Sequence, residues 1–415
     1  MAATQYEELR HFRTRVPGEE QRVTNLELFF DLVFVFAVTQ LSHSLAVHLT
    51  WTGALRTLFL LLVVWWVWSY TTWMTNWLDP ERTPVRLLIL GMMVGSLLMA
   101  IAIPDAFGDR AVLFAAGYVA VQVMRNAFMV YATPPGSVIR LAFVRIAAWS
   151  VATGLLFIVG AFLPTAGQVT LWAIALALDY AGPYARYWVP VLGASDTADW
   201  DIEAGLFAER FQLFIIIALG ETIVVTGLTA SDLDLDAARL LAIVVAVIGT
   251  AAFWWLYFDY VARIAGRRLQ AADDAGRLAR DAFSYIHIPM VAGIIVAAVG
   301  DELVIAHPGE ELSAAGLACV AGGPAIYLLG HVALRLRMAG SISRKRLAAA
   351  GACVVVGIAA APLPGLAVSA MVAGVLVALI AAEAHSGRRS RMRGEASPLE
   401  AFEASLAREA GAPPR

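Results

Sequence analysis

Glu27-Leu-Phe-Phe-Asp-Leu-Val-Phe-Val-Phe-Ala-Val38 sets two carboxylates among bulky apolar residues, with no proline or glycine to interrupt a helix. With its flanks it forms an apolar run from Val23 to Leu49, long enough to cross about 30 Å of hydrocarbon. Residues four apart share one helix face, so Glu27 and Asp31 project together. Counted from the cytoplasmic start of such a helix, Glu27 lies about 6 Å deep and Asp31 about 12 Å.

Outward from this run the same pattern repeats. Further apolar runs extend approximately from Gly53 to Trp77, Val85 to Ile103, Ala111 to Ala132, Ile139 to Leu163, Gln168 to Val189, Leu206 to Leu228, Leu240 to Val261, Asp281 to Val299, Leu312 to Leu334, Leu347 to Ala361 and Leu366 to Glu383. The fold class expected is therefore an all-α polytopic membrane protein with about twelve transmembrane helices. Composition agrees: of 415 residues 60% are hydrophobic and 15% charged, and the mean hydropathy is +0.71. A soluble domain carries about 25% charged residues. The net charge of -3 shows no basic excess, which argues against a nucleic-acid partner. Cys319 and Cys353 are the only cysteines and lie in apolar runs, which excludes a disulfide framework and a cysteine metal site. No Walker A, GxGxxG, HExxH or GxSxG motif occurs in a suitable setting, so neither enzyme chemistry nor a cofactor is expected.

Basic residues in loops orient membrane helices. Arg10, Arg13, Arg15 and Arg22 precede the first run, Arg82 and Arg86 follow the second, and Arg263, Arg267 and Arg268 follow the eighth. Arg335, Arg337, Arg344, Lys345 and Arg346 follow the tenth, and Arg388, Arg389, Arg391 and Arg393 the last. With an even count all fall on one side, facing loops that carry Asp105, Asp109, Asp232, Asp234, Asp236 and Glu310. Both termini are thus expected in the cytoplasm. The first run is too long for a signal peptide, and the segment before it holds Glu7, Glu8, Glu19 and Glu20, so no cleavable leader is expected.

The two halves read as a duplication. Glu27 to Asp31 opens the first run and Glu209-Arg-Phe-Gln-Leu213 the seventh. Trp65-Trp-Val-Trp-Ser-Tyr70 is matched by Trp254-Trp-Leu-Tyr-Phe-Asp259, and Met92-Met-Val-Gly95 by Met290-Val-Ala-Gly293. Asp179 and Glu383 fall late in the sixth and twelfth runs. An even-numbered unit keeps its orientation, which implies two parallel six-helix repeats. The expected divisions are a cytoplasmic segment 1–22, a first repeat 23–190, a connector 191–205, a second repeat 206–385 and a cytoplasmic tail 386–415. In the tail, Ser397-Pro-Leu-Glu400 reads as a capping box that opens a short amphipathic helix.

Ionisable residues inside hydrocarbon are costly and mark functional positions by default. Glu27, Asp31, Arg125, Arg145, Asp179, Glu209, Arg210, Asp259, His287, His331 and Glu383 fall in the middle or cytoplasmic half of their runs. Glu27, Glu209 and Glu383 stand within a turn of the interface and either reach water or join the buried set. Asp31 reads as an ion-handling carboxylate or as half of an ion pair that fixes helix register. His287, two residues before Pro289, reads as a hydrogen-bonded hinge or as a proton relay. Glu221, in Leu219-Gly-Glu-Thr-Ile-Val224, is far from either end of its run and cannot snorkel. The candidate ion- or substrate-binding residues are Glu27, Asp31, Arg125, Asp179, Glu221 and His287. Their acid excess suits a proton or cation.

The segment from Glu27 to Val38 resembles the opening signature of the bacterial low temperature requirement protein A (LtrA) family, and Leu219 to Val224 and His287-Ile-Pro289 resemble later family segments. The resemblance runs from about Arg22 to Glu383 and implies a multi-pass inner-membrane protein whose name records growth in the cold. It carries Glu27, Asp31 and Glu221 as motif positions and implies no settled substrate. Two functions compete. One is a proton- or cation-coupled secondary transporter of a small solute, with Asp31 and Glu221 as carboxylates and Arg125 or His287 as a partner. The other is a non-transport protein that supports the bilayer at low temperature. A lipid-acting membrane enzyme lacks any recognisable nucleophile or metal set.

Overall fold

Proline placement bounds two of the shorter helices of this chain. The structure, a computed structural model, describes residues 10–14, 21–196, 200, 202–394 and 404, and among these every regular element is helical. In chain order they are α1 Asn25–Val47, α2 Trp51–Trp77, α3 Thr83–Ala102, α4 Ala111–Ala132, α5 Val138–Ala161, α6 Thr165–Ala181 and α7 Ala204–Ser231. Then come α8 Ala237–Leu256, a π-helical segment Tyr257–Val261, α9 Ala262–Gln270, α10 Ala275–Leu278 and a second π-helical segment Ala279–Tyr285. The last four are α11 His287–Ala306, α12 Ala314–Ala339, α13 Arg344–Ala359 and α14 Gly365–Met392.

Ten helical bodies among the described residues are long and apolar enough to cross a membrane. The sixth and eleventh expected runs are helices of 17 and 16 residues, α6 and α13, below the roughly 20 that a span requires. Pro164 precedes α6 and Pro183 follows it, while Pro362 and Pro364 lie just beyond α13; proline lacks the N–H that a further helical bond would need. Helix α14 runs on past the expected end at Glu383 to Met392. Of the amphipathic tail helix expected beyond Ser397, all but Ala404 lies outside the described residues.

Helices α5, α8 and α12 each start on a side-chain cap. Ser137, Asp236 and Ser313 accept hydrogen bonds from the backbone N–H of Arg140, Arg239 and Gly316 at 3.1, 2.8 and 3.1 Å. At the head of α1, Glu27 Oε2 accepts from Thr24 N at 2.9 Å and Glu27 N reaches Thr24 Oγ1 at 3.4 Å, a reciprocal capping box.

The chain divides into two compact units, the first taking the described residues of Met1–Ser44, Thr52–Arg210 and Asp274–Arg277 and the second those of Leu45–Trp51, Phe211–Asp273 and Leu278–Arg415. Within the first, α3 packs on α4, α4 on α5 and α5 on α6. Within the second, α11 packs on α12, α12 on α13 and α13 on α14. Each unit has a crossing where glycine meets neighbouring backbone. A Cβ on Gly117 of α4 would sit 2.8 Å from Gly95 O of α3, and a Cβ on Gly323 of α12 would sit 2.6 Å from Ala297 N and 2.9 Å from Gly293 O of α11. Only a residue without a side chain permits backbones to approach so closely.

Candidate functional site

The spacing of Glu27 and Asp31 on α1 aims both carboxylates at one guanidinium. Arg210, near the start of α7, places Nη1 3.1 Å from Glu27 Oε1 and Nη2 2.6 Å from Asp31 Oδ1, and all three residues are about 1% exposed. Asp31 Oδ1 also accepts from Trp68 Nε1 at 2.9 Å. Arg13, outside the helices, donates from Nη2 to Glu27 Oε2 at 2.8 Å and from Nε to the carbonyls of Thr75 and Leu78 at 2.9 and 3.1 Å. It therefore closes the C-terminus of α2, where carbonyls lack helical partners. Two further backbone bonds fasten this segment, Arg13 N to Trp77 O at 2.8 Å and Asp79 N to His11 O at 2.9 Å. Two carboxylates thus meet two guanidinium groups, and the local charge sums to zero.

A second buried polar cluster in the same unit is built on α4. Tyr118, Gln122, Arg125 and Asn126 follow one another at helical spacing, all within 2% exposure. Tyr118 Oη donates to Asp179 Oδ2 of α6, Thr153 Oγ1 of α5 donates to Asp179 Oδ1 at 2.8 Å, and Gln122 Nε2 donates to Tyr118 Oη at 3.0 Å. Asn126 Nδ2 donates to Ser150 Oγ at 2.8 Å. The Arg125 guanidinium lies over the Tyr70 ring, 5.0 Å from its centroid. Arg125 Nη1 and Nη2 have no hydrogen-bond partner among the described residues, nor has Gln122 Oε1.

In the second unit, a tyrosine of one π-helical segment meets a histidine that lies just after the other. His287 Nδ1 lies 2.9 Å from Ala282 O, so it carries the proton, and Nε2 accepts from Tyr257 Oη at 2.8 Å. Tyr257 opens one π segment and Ala282 belongs to the other. Such bulges recur at functional sites. Nearby, Arg346 grips Glu383 in a two-bond fork at 3.0 Å for both bonds and donates from Nη1 to His331 Nδ1 at 2.5 Å. Glu221 is fully buried in α7, beside Thr222, which shares a 2.7 Å hydrogen bond with Thr250 of α8.

The structure therefore buries all six candidates, Glu27, Asp31, Arg125, Asp179, Glu221 and His287. It joins Glu27 with Asp31 and sets Asp179 in the cluster of Arg125. The partner of Asp31 is Arg210, and His287 is engaged by Tyr257 and the Ala282 carbonyl. Of the interfacial acids, Glu27 is buried, Glu209 and Glu383 are half-buried, and Asp259 is exposed. Among the described residues no group of three or more His, Cys, Asp or Glu is placed to hold a metal. Sequence reading did not single out Arg13, Tyr118 or Gln122. The polar stripe at 118, 122, 125 and 126 was a usable signal, because four such residues on one face of an apolar helix must be satisfied by something.

Comparison with known proteins supplies a family. The model of the family described as bacterial low temperature requirement A protein (LtrA) matches residues 22–381. A protein of Rhizobium meliloti (strain 1021), described as uncharacterized, is 38% identical over 322 residues, which cover 77% of this chain and 78% of that protein. No solved structure matches.

Proposed function

The chain belongs to the bacterial LtrA family, and from that premise we propose that it is a proton- or cation-coupled secondary transporter of the bacterial inner membrane. One observation carries this reading: helices of membrane-crossing length hold Asp31, Arg125, Arg210 and Glu221 at 2% exposure or less. A charge so placed costs several kcal/mol in hydrocarbon and is retained where it handles an ion or solute. Asp31 and Glu221 are the proposed ion-handling carboxylates.

The finer architecture belongs to the same proposal. We count α6 and α13 as spans, which makes twelve and puts both termini in the cytoplasm with the arginine-rich loops. The six-plus-six parallel duplication is supported by the matched order of packing, α3 to α6 and α11 to α14, and by the two glycine crossings.

Purified protein reconstituted in liposomes with a trapped pH dye tests the function. A solute-dependent proton or cation flux that falls at least tenfold in Glu221→Gln and Asp31→Asn is expected. No flux with any solute class, together with full growth of cells carrying both variants, would overturn it. The charge balance of Glu27, Asp31, Arg13 and Arg210 favours a second reading, in which these ion pairs only fasten a protein that supports the bilayer in the cold. That reading predicts that Asp31→Asn lowers melting temperature in detergent in step with cold growth.

A further inference from the structure

We infer that Arg125 is the anchor of a binding site for a small monocarboxylate bearing a hydroxyl or ammonium substituent. The inference deepens the transport reading and rests on it only for the claim that the bound molecule is cargo.

The observation is an imbalance between donors and acceptors. Arg125 is 2% exposed, yet neither Nη1 nor Nη2 meets an acceptor among the described residues. Asp179 makes no hydrogen bond to Arg125 and accepts instead from the hydroxyls of Tyr118 and Thr153. The Tyr70 ring covers one face of the guanidinium and leaves its two-nitrogen edge to an in-plane acceptor. That edge matches a carboxylate, which accepts two parallel N–H bonds. Gln122 adds the complement. Tyr118 spends its single hydrogen on Asp179, so Gln122 must donate to Tyr118 through Nε2, and Gln122 Oε1 is left as a buried acceptor without a donor among the described residues. A hydroxyl or ammonium group next to the carboxylate would supply it. A phosphate dianion suits the site less, since it brings a second negative charge close to Asp179.

The second unit strengthens the reading. Eight residues beyond the crossing glycine, the first unit has Arg125 after Gly117 and the second has His331 after Gly323. There the comparable acid, Glu383, is gripped by Arg346, which also reaches His331. Cation and acid satisfy each other in the second unit, whereas in the first the cation is left with donors to offer.

Full-length protein in detergent, titrated with sodium L-lactate, L-alanine, sodium acetate and inorganic phosphate while melting temperature is read, tests the site. Saturable stabilisation by lactate or alanine is expected, weaker stabilisation by acetate, and at least a tenfold loss of affinity in Arg125→Gln. Unliganded Arg125→Gln is expected to melt no lower than wild type, since it removes an unpaired buried charge. Gln122→Met should retain acetate binding and lose the preference for lactate or alanine over acetate, which keeps the test open if Arg125→Gln fails to fold. No stabilisation by any carboxylate, stabilisation by phosphate alone, or a response unchanged in Arg125→Gln would overturn the inference. Carboxylate binding without flux in liposomes would leave the site standing and refute transport; cation flux without carboxylate binding would do the reverse.

Discussion

Arg210 Nη2 lies 2.6 Å from Asp31 Oδ1, a contact between side chains 1% and 2% exposed that spans 179 positions of sequence. Both groups are out of water, so their mutual charge compensation decides whether either can be there. Breaking a buried pair from one side is costlier than replacing both partners, because the survivor is stranded.

Asp31→Asn and Arg210→Gln should therefore each destabilise the protein by about 3–5 kcal/mol, while the double variant recovers part of the loss. A double-mutant cycle on unfolding in detergent reads the coupling. Strictly additive losses would show that the two groups do not depend on each other.

The crossing of α11 and α12 should tolerate no added side chain. Gly293→Val and Gly323→Leu should each cost about 1–3 kcal/mol or more, because the atoms met at 2.6 Å are backbone nitrogens that cannot rotate away. Gly322→Ala, whose new Cβ meets nothing within 4 Å, is the matched control and should melt as wild type does. Melting temperatures of the three variants decide it.

Tyr257→Phe should remove one buried hydrogen bond and leave His287 Nε2 without its donor, at a cost of about 1–3 kcal/mol. Nitrogen NMR of labelled histidine should show the Nδ1-protonated form in wild-type protein, because Ala282 O can only accept. An Nε2-protonated ring would contradict the assigned geometry.

The segment around His11 should release as the pH falls. His11 packs against Phe128 and Tyr131, with ring centroids 5.7 and 5.9 Å away, and burial, followed by the charges of Arg10 and Arg82, holds its pKa below the ordinary 6.5. Released, it titrates near 6.5, so the free segment binds more protons than the docked one. Docking is then fully present above about pH 6.5 and weakens as pH falls below it. Amide protection factors at Arg13 and Asp79, both bonded across this contact, should fall severalfold on acidification once the intrinsic pH dependence of exchange is divided out, and His11→Phe should abolish that change.

Chain chemistry alone determined the solvent of this protein, the rough limits of most of its apolar runs, and the few charges that hydrocarbon would have to accommodate. Those follow from local quantities, since twenty apolar residues seek hydrocarbon wherever they sit. The Glu27 and Asp31 pair was legible because helical periodicity alone puts them on one face. Pairing was not. That Arg210 serves Asp31 while the Arg125 Nη atoms meet no acceptor among the described residues depends on which helices pack together, as α3 and α4 do where Gly117 meets Gly95. The lengths of α6 and α13 and the two π-helical segments beside His287 were likewise decided by tertiary packing and proline placement acting together. A buried charge is stabilised only by what three-dimensional folding brings within a few ångströms of it, and that is why its role emerged only from the structure.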